Sequence, residues 1–218
     1  MATTVWEPYP TAPLNKFFPE LRFEFKDLPP QLFQYYILQT AVDMAEKANI
    51  LRRWCEIELE PCVSRYALES PDGMRVWAVM GIFRLSGPID KGIRRVRRSY
   101  GPPEGAVCLP QNVAWYDPYD GVLHYSGDCL CGNLFANVAV VPERDACDLP
   151  EIYYDRFYSA LLTGTRARIM LITGRPWTNL RVGASLMQEY ENMLSRDAVR
   201  VAERGQRGMI KMQFGKVM

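Results

Sequence analysis

The chain holds one histidine, His124, in 218 residues, so any Ser-His-Asp or Cys-His catalyst would have to be built around that single imidazole. It also lacks the G-x-x-x-x-G-K-[ST] phosphate loop, the G-x-S-x-G elbow, H-E-x-x-H, and G-x-G-x-x-G after a strand, which leaves no positive reason to expect an enzyme or a cofactor. Cysteine is sparse. Cys55, Cys62, Cys108, Cys129, Cys131 and Cys147 are too few to scaffold a chain of this length, and Met1 to Glu7 lacks the charged and apolar regions of a secretory signal. Reduced thiols in a cytosolic assembly environment are the expectation. Long apolar runs are missing too: the longest uncharged apolar stretch, around 134–142, is far short of the roughly 20 residues that span a bilayer, so no membrane role is expected. Nor is one sign of charge in excess. Lys+Arg 26 against Asp+Glu 25 gives the whole molecule no pull toward nucleic acid, and any electrostatic role must be local.

What is present is patterning. Residues 1–28 scatter Pro8, Pro10, Pro13 and Pro19 among Trp6, Tyr9, Phe17 and Phe18 with no period, which predicts an extended arm laid on a surface. From Asp27-Leu-Pro-Pro30, a cap candidate with prolines in the first turn, Phe33, Ile37, Ala41, Met44 and Ala48 recur at helical spacing to about Asn49. Between 51 and 147 the period changes to short runs of Val, Ile, Tyr, Trp and Phe punctuated by Pro71-Asp-Gly73 and Asp117-Pro-Tyr-Asp-Gly121, predicting several short strands.

Helical signals return at Asp148-Leu-Pro-Glu151, which has the form of a capping box. Tyr153, Phe157, Ala160, Gly164, Ala167 and Leu171 follow in steps of four and three, and the small residues among them would let another helix approach closely. Gly174 and Pro176 stop the pattern. A third helix starts at Thr178 or Asn179, carries Leu186, Tyr190, Met193, Leu194 and Val201 on one side, and ends before Gly205. In the tail, Ile210, Met212 and Phe214 alternate with Lys211 and Gln213, the period of a strand suited to edge addition on a neighbour. The expected fold is α+β: an antiparallel bundle of about three main helices (29–50 and 148–204), an inserted β-rich module (51–147), an extended N-terminal arm (1–28) and a docking tail (205–218).

Three local features invite chemistry. Lys91-Gly-Ile-Arg-Arg-Val-Arg-Arg98 is the densest charge run. It reads as a solvated strand edge protected from mispairing, as an interface, or as a phosphate-binding patch. Glu56, Glu58 and Glu60 alternate along one strand face as an ion-pairing surface, and could complement Lys91, Arg94, Arg95, Arg97 and Arg98 of a neighbouring subunit. Cys129-Leu-Cys131 near His124 has the wrong spacing for a paired C-x-x-C zinc site, and residues two apart share a strand face, so buried packing accounts for both thiols. Trp177, in Arg175-Pro-Trp-Thr-Asn179 between the second and third helices, is expected to seal the helix pair.

The stretch Leu149-Pro-Glu-Ile-Tyr-Tyr-Asp-Arg-Phe-Tyr-Ser-Ala-Leu-Leu-Thr-Gly-Thr-Arg-Ala-Arg-Ile-Met-Leu171, then Arg175-Pro-Trp-Thr-Asn-Leu180, then Tyr190-Glu191 with Ala198 and Val201, resembles the head-to-tail adaptor proteins of tailed bacteriophages. Asp43-Met-Ala-Glu-Lys-Ala-Asn-Ile50, Trp54, Tyr66-Ala-Leu68 and Pro71-Asp-Gly-Met-Arg-Val76 are similar to the beginning of those proteins, while the proline-rich N-terminus and the Lys91–Arg98 run depart from the pattern. The resemblance implies a structural virion protein assembled in the host cytoplasm. It implies a ring, commonly dodecameric, between the portal protein and the tail nozzle or tail tube, with genomic DNA passing through without sequence-specific binding. It also implies that the tail residues Ile210, Met212, Phe214 and Val217 dock on the portal or a neighbouring subunit. The alternative is a nucleic-acid-binding protein using Lys91 to Arg98.

Overall fold

A computed structural model of the chain describes residues 10–68, 70, 73–85, 93–95, 97–98, 113–126 and 132–209. In chain order the elements are β1 (Thr11–Pro13), a 3-10 turn (Leu14–Phe17), α1 (Phe18–Glu24), α2 (Pro30–Ala48), β2 (Arg52–Leu59), β3 (Arg65–Ala67), β4 (Met74–Leu85), β5 (Ile93–Arg95) and β6 (Arg97–Arg98). They continue with β7 (Val113–Asp117), β8 (Val122–Ser126), β9 (Gly132–Pro142), β10 (Asp148–Pro150), α3 (Ile152–Asp155), α4 (Tyr158–Met170) and α5 (Leu180–Met209). Among the described residues, 51–143 form one compact unit, and the flanking segments 10–50 and 144–209 form another.

The expected three-helix bundle with one β-insert between two extended arms is not what the chain builds. Among the described residues there are five α-helices and three small sheets. The first departure is at the N-terminus. Residues 11–13 pair antiparallel with β10, Thr11 opposite Pro150 and Pro13 opposite Asp148, and of the aromatics that looked scattered Phe17 and Phe18 are core, buried together with Leu21, Phe25 and Leu28; Trp6 and Tyr9 lie outside the described residues. Pro19 sits in the first turn of α1, where its missing N–H costs nothing. Arg166 of α4 then ties α1 down through Glu24 at 2.8 Å and Glu20 at 3.4 Å. Burial of large apolar side chains outweighs the extended preference of the prolines.

The C-terminal half departs as well. Asp148-Leu-Pro150 is strand β10, not a helix cap. The helix expected to run unbroken to Leu171 divides at Arg156 and Phe157, whose φ values of −122° and −113° leave the helical region, into α3 and α4. At the other end α5 continues through Gly205 to Met209, so the segment expected to be a strand-like tail begins as helix.

In the helical unit α2, α4 and α5 pack on one another. α2 buries Phe33, Ile37, Ala41, Met44 and Ala48, together with Leu38, Thr40 and Ala45. It stops at Asn49, which adopts the left-handed conformation with φ 46° and returns its N–H to the Ala45 carbonyl. The cap expected from Asp27 is absent. Pro29 precedes the helix without a side-chain cap, and Leu32 and Phe33 donate to its carbonyl.

In the β unit one sheet has the order β2-β9-β4-β5 and the other β3-β8-β7-β6, antiparallel except for the short parallel β6–β7 pairing. β9 is central to the first sheet and is buried at Leu134, Ala136 and Val138 through Val141, as a strand flanked on both edges requires. Beside it β2 alternates: Cys55, Ile57 and Leu59 are buried while Glu56 and Glu58 are exposed. In the second sheet Tyr66, Ala114, Leu123 and Tyr125 are buried. The turn between β7 and β8 is held by Asp117 Oδ1 accepting from the Tyr119 N–H at 2.9 Å and by Gly121 at φ 67°, a conformation that favours glycine.

Candidate functional site

The densest polar constellation lies where α2, α4 and α5 meet, and Gly164 makes the meeting possible. A Cβ on Gly164 would stand 2.7 Å from Thr40 Cγ2 and 2.7 Å from Tyr190 Cδ2 and Cε2, closer than side-chain atoms pack. Only glycine lets α2 and α5 touch α4 at the same level. Ala160 and Ala167, one turn to either side, are buried as well.

Around this point five polar side chains satisfy one another. Arg168 Nη2 pairs with Asp43 Oδ2 at 2.9 Å, and its Nη1 donates to Thr40 Oγ1 and to the Gly164 carbonyl, both at 3.2 Å. Tyr190 Oη donates to the same Asp43 oxygen at 2.8 Å, Lys47 Nζ reaches Asp43 Oδ1 at 3.0 Å, and the Arg168 guanidinium lies 5.2 Å from the Tyr190 ring centroid. Burial alone would raise the Asp43 pKa. The hydrogen bonds from Tyr190 and Lys47 and the charges of Arg168 and Lys47 outweigh it and hold the carboxyl below its ordinary value. Burial first, and then the neighbouring Asp43 charge, push the Tyr190 phenol far above its usual range. Every charge in the group is committed to a partner. The arrangement locks three helices together.

The connection from α4 to α5 follows its sequence. The Asn179 side chain accepts from the Val182 N–H at 3.1 Å as the cap of α5, and Thr178 Oγ1 accepts from the Arg175 N–H at 3.0 Å. Trp177 is half-buried in this connection.

The charged residues singled out from sequence are placed along the sheets. Glu56 and Glu58 project from the exposed face of β2, with Glu60 exposed just beyond it, and Glu56 accepts a hydrogen bond from the Asn133 amide. The arginines do not form one patch on one element. Arg94 and Arg95 lie on β5, opposite Arg84 and Phe83 of β4, whereas Arg97 and Arg98 lie on β6, opposite Val113 and Ala114 of β7. The run passes from one four-stranded sheet to the other. Lys91, Cys108, Cys129, Cys131, Ile210, Met212, Phe214 and Val217 lie outside the described residues.

His124 stacks on Trp115 across β7 and β8, with ring centroids 3.8 Å apart and planes 4° from parallel, and Arg65 of β3 stands opposite it. Burial and the Arg65 charge lower its pKa, against the opposing pull of Asp117 and Asp120. Cys55 is buried and its thiol is pushed up to about 12, chiefly by desolvation, while Cys62 and Cys147 are exposed. Among the described residues no group of three or more His, Cys, Asp or Glu could hold a metal ion, and no helix is long and apolar enough to cross a membrane.

Sequence reading missed the Asp43–Arg168–Tyr190 group because Asp43 lies more than a hundred residues from the other two. One local signal was available: Thr40 and Asp43 flank the apolar stripe of α2, and Arg168 follows Gly164 by one helical turn. No protein-family model matches the chain, and no curated protein matches it.

Proposed function

We propose that this chain is a structural component of a tailed-bacteriophage virion, a head-to-tail adaptor that assembles as a ring between the portal and the tail nozzle or tail tube around the DNA channel. Two lines support the reading. One is the resemblance carried by residues 149–180 and by the order of elements before them. The other, which carries most weight, is the shape of α5. It has 30 residues, about 45 Å at the usual rise, yet among the residues whose burial is described its last buried side chain is Leu194. Residues 195–201, about two further turns, bury no side chain fully, and a helical stretch of that length is marginal when free in water. Its apolar register persists there, with Ala198 and Val201 half-buried and Val199 58% exposed. A helix that outruns its own core in this way is suited to a neighbouring subunit.

In a ring each contact is heterologous, so one surface must match a different surface of the next copy. The acidic face of β2 and the arginines of β5 and β6 are candidates for such a pair. Mixing the chain with its cognate portal protein and imaging the product by electron microscopy tests the reading. A ring seated on the portal is expected. A chain that stays monomeric and ignores the portal would remove it, and tight, steeply salt-dependent binding to free duplex DNA would favour the nucleic-acid alternative instead.

A further inference from the structure

The three helices that meet at Gly164 are held unequally. α4 buries eight of its 13 residues and α2 eight of its 19, whereas over residues 180–201 of α5 the buried positions are Gly183, Tyr190 and Leu194, with Leu186, Met187 and Met193 half-buried. Gly183 marks a close approach, since a Cβ there would stand 3.0 Å from Leu171 Cγ and 3.3 Å from the Ala167 carbonyl oxygen. The apolar hold on this stretch of α5 is thin by comparison. The polar bonds are unequal as well. Arg168 Nη2 on Asp43 Oδ2 at 2.9 Å and Arg168 Nη1 on Thr40 Oγ1 at 3.2 Å join α4 to α2, and Tyr153 of α3 donates to the Ala41 carbonyl of α2 at 2.8 Å. To this group α5 adds one side chain, Tyr190, whose Oη donates to Asp43 Oδ2 at 2.8 Å.

That division lets α5 leave without orphaning a charge. Asp43 and Lys47 lie on α2 and Arg168 on α4, so a carboxylate that loses the phenol keeps both cations and takes water in the phenol's place. Withdrawing one member of a buried ion pair would resist opening far more strongly. α5 also carries its own cap. The Asn179 side chain accepts from the Val182 N–H at 3.1 Å and the Gly183 N–H donates to the Asn179 carbonyl at 2.8 Å, so the helix need not unwind at its start in order to move. Gly174, at φ 71°, lies in the connection behind it.

We propose that the Tyr190 hydroxyl on Asp43 is a latch: α5 swings off α2 and α4 as one element while those two stay packed, and this single bond sets how often it does so. Opening bares Tyr190 and Leu194 on α5 and the Gly164 face of α4 to solvent. The unit thus contains a cooperative element less stable than the whole.

Native-state hydrogen exchange of the full chain, read by mass spectrometry on peptides of each helix, tests it. A detached α5 is an isolated helix with weak protection, so in the parent chain its amides at 184–195 are expected to exchange at least about tenfold faster than those of α4 at 161–169. Tyr190→Phe keeps the ring against Gly164 and deletes the one bond; it is expected to speed α5 by about a further tenfold while moving α2 and α4 by less than about threefold. Lys47→Met removes a partner of Asp43 from within α2, and should leave α5 unchanged to within about twofold. Three results would each overturn the proposal: α5 and α4 exchanging at one rate in the parent chain, a Tyr190→Phe variant that leaves α5 unmoved or speeds all three helices alike, or a Lys47→Met variant that matches Tyr190→Phe in α5. Portal binding plays no part in the measurement, so failure here leaves the adaptor reading standing and failure there leaves the latch standing.

Discussion

At the scale of single residues, Gly164 is the position with least latitude. Alanine gains about 1 kcal/mol in helix propensity over glycine. Its methyl group, however, would collide on two sides with Thr40 and Tyr190 at 2.7 Å, and overpacking of that kind costs about 1–3 kcal/mol or more. Gly164→Ala should therefore lower stability in urea unfolding even though it favours the helix locally. Asp43 is the residue whose effect depends on pH. Its folded pKa lies below the ordinary 3.8, so its contribution is fully present above the unfolded value and is lost as pH falls through the folded one. Asp43→Asn should destabilise the chain near neutral pH and flatten the acid limb of its stability profile, and the two proteins should converge in strong acid. Thiol labelling with site-resolved mass spectrometry gives a third check. Cys62 and Cys147, both exposed, should label quickly in the native chain, and Cys55, buried with its thiol at about 12, only after unfolding. The small-residue spacing at 160, 164 and 167 could be read from sequence. The Asp43–Arg168 pair could not, because nothing local relates residues 125 positions apart.

At the scale of elements, the helical period of α2 was legible, because a stripe at steps of four and three has no other simple use. The division of α3 from α4 was not. Tyr153 and Phe157 are four apart and fit one continuous helix, yet both are buried across a break at Arg156. For α5 the apolar register was visible, but not that residues 195–201 bury no side chain fully. Ending the chain at Ser195 keeps Gly183, Tyr190 and Leu194, the buried residues of α5 among those whose burial is described. Such a truncation should preserve the melting temperature to within a few degrees, on the scale of about 2–4 °C per kcal/mol for a chain of this size, while abolishing self-association in sedimentation experiments.

At the scale of the whole molecule, the proposed function requires assembly, and assembly requires surfaces that are specific without being sticky. The exposed face of β2 is acidic and the edge strands β5 and β6 carry arginine, which discourages indiscriminate pairing and allows register to be set by charge. Reversing Arg94, Arg95, Arg97 and Arg98 to glutamate should weaken ring formation on the portal, scored as the fraction of particles bearing a ring. An unchanged fraction would remove those arginines from the interface.

By itself the sequence determined the local vocabulary: the stripe of α2, the Asn179 cap, the Asp117–Gly121 turn, the alternation of β2 and the absence of known catalytic motifs. These are set by backbone sterics and by side chains within a few positions, so they can be read from neighbours along the chain. Only the tertiary structure decided that β1 pairs with β10, that Phe17, Phe18 and Phe25 are core, and that the middle segment divides into two sheets. Those outcomes depend on which distant surfaces exclude water together. Partners brought together by apolar burial and strand pairing across more than a hundred residues leave no periodic trace in either segment alone.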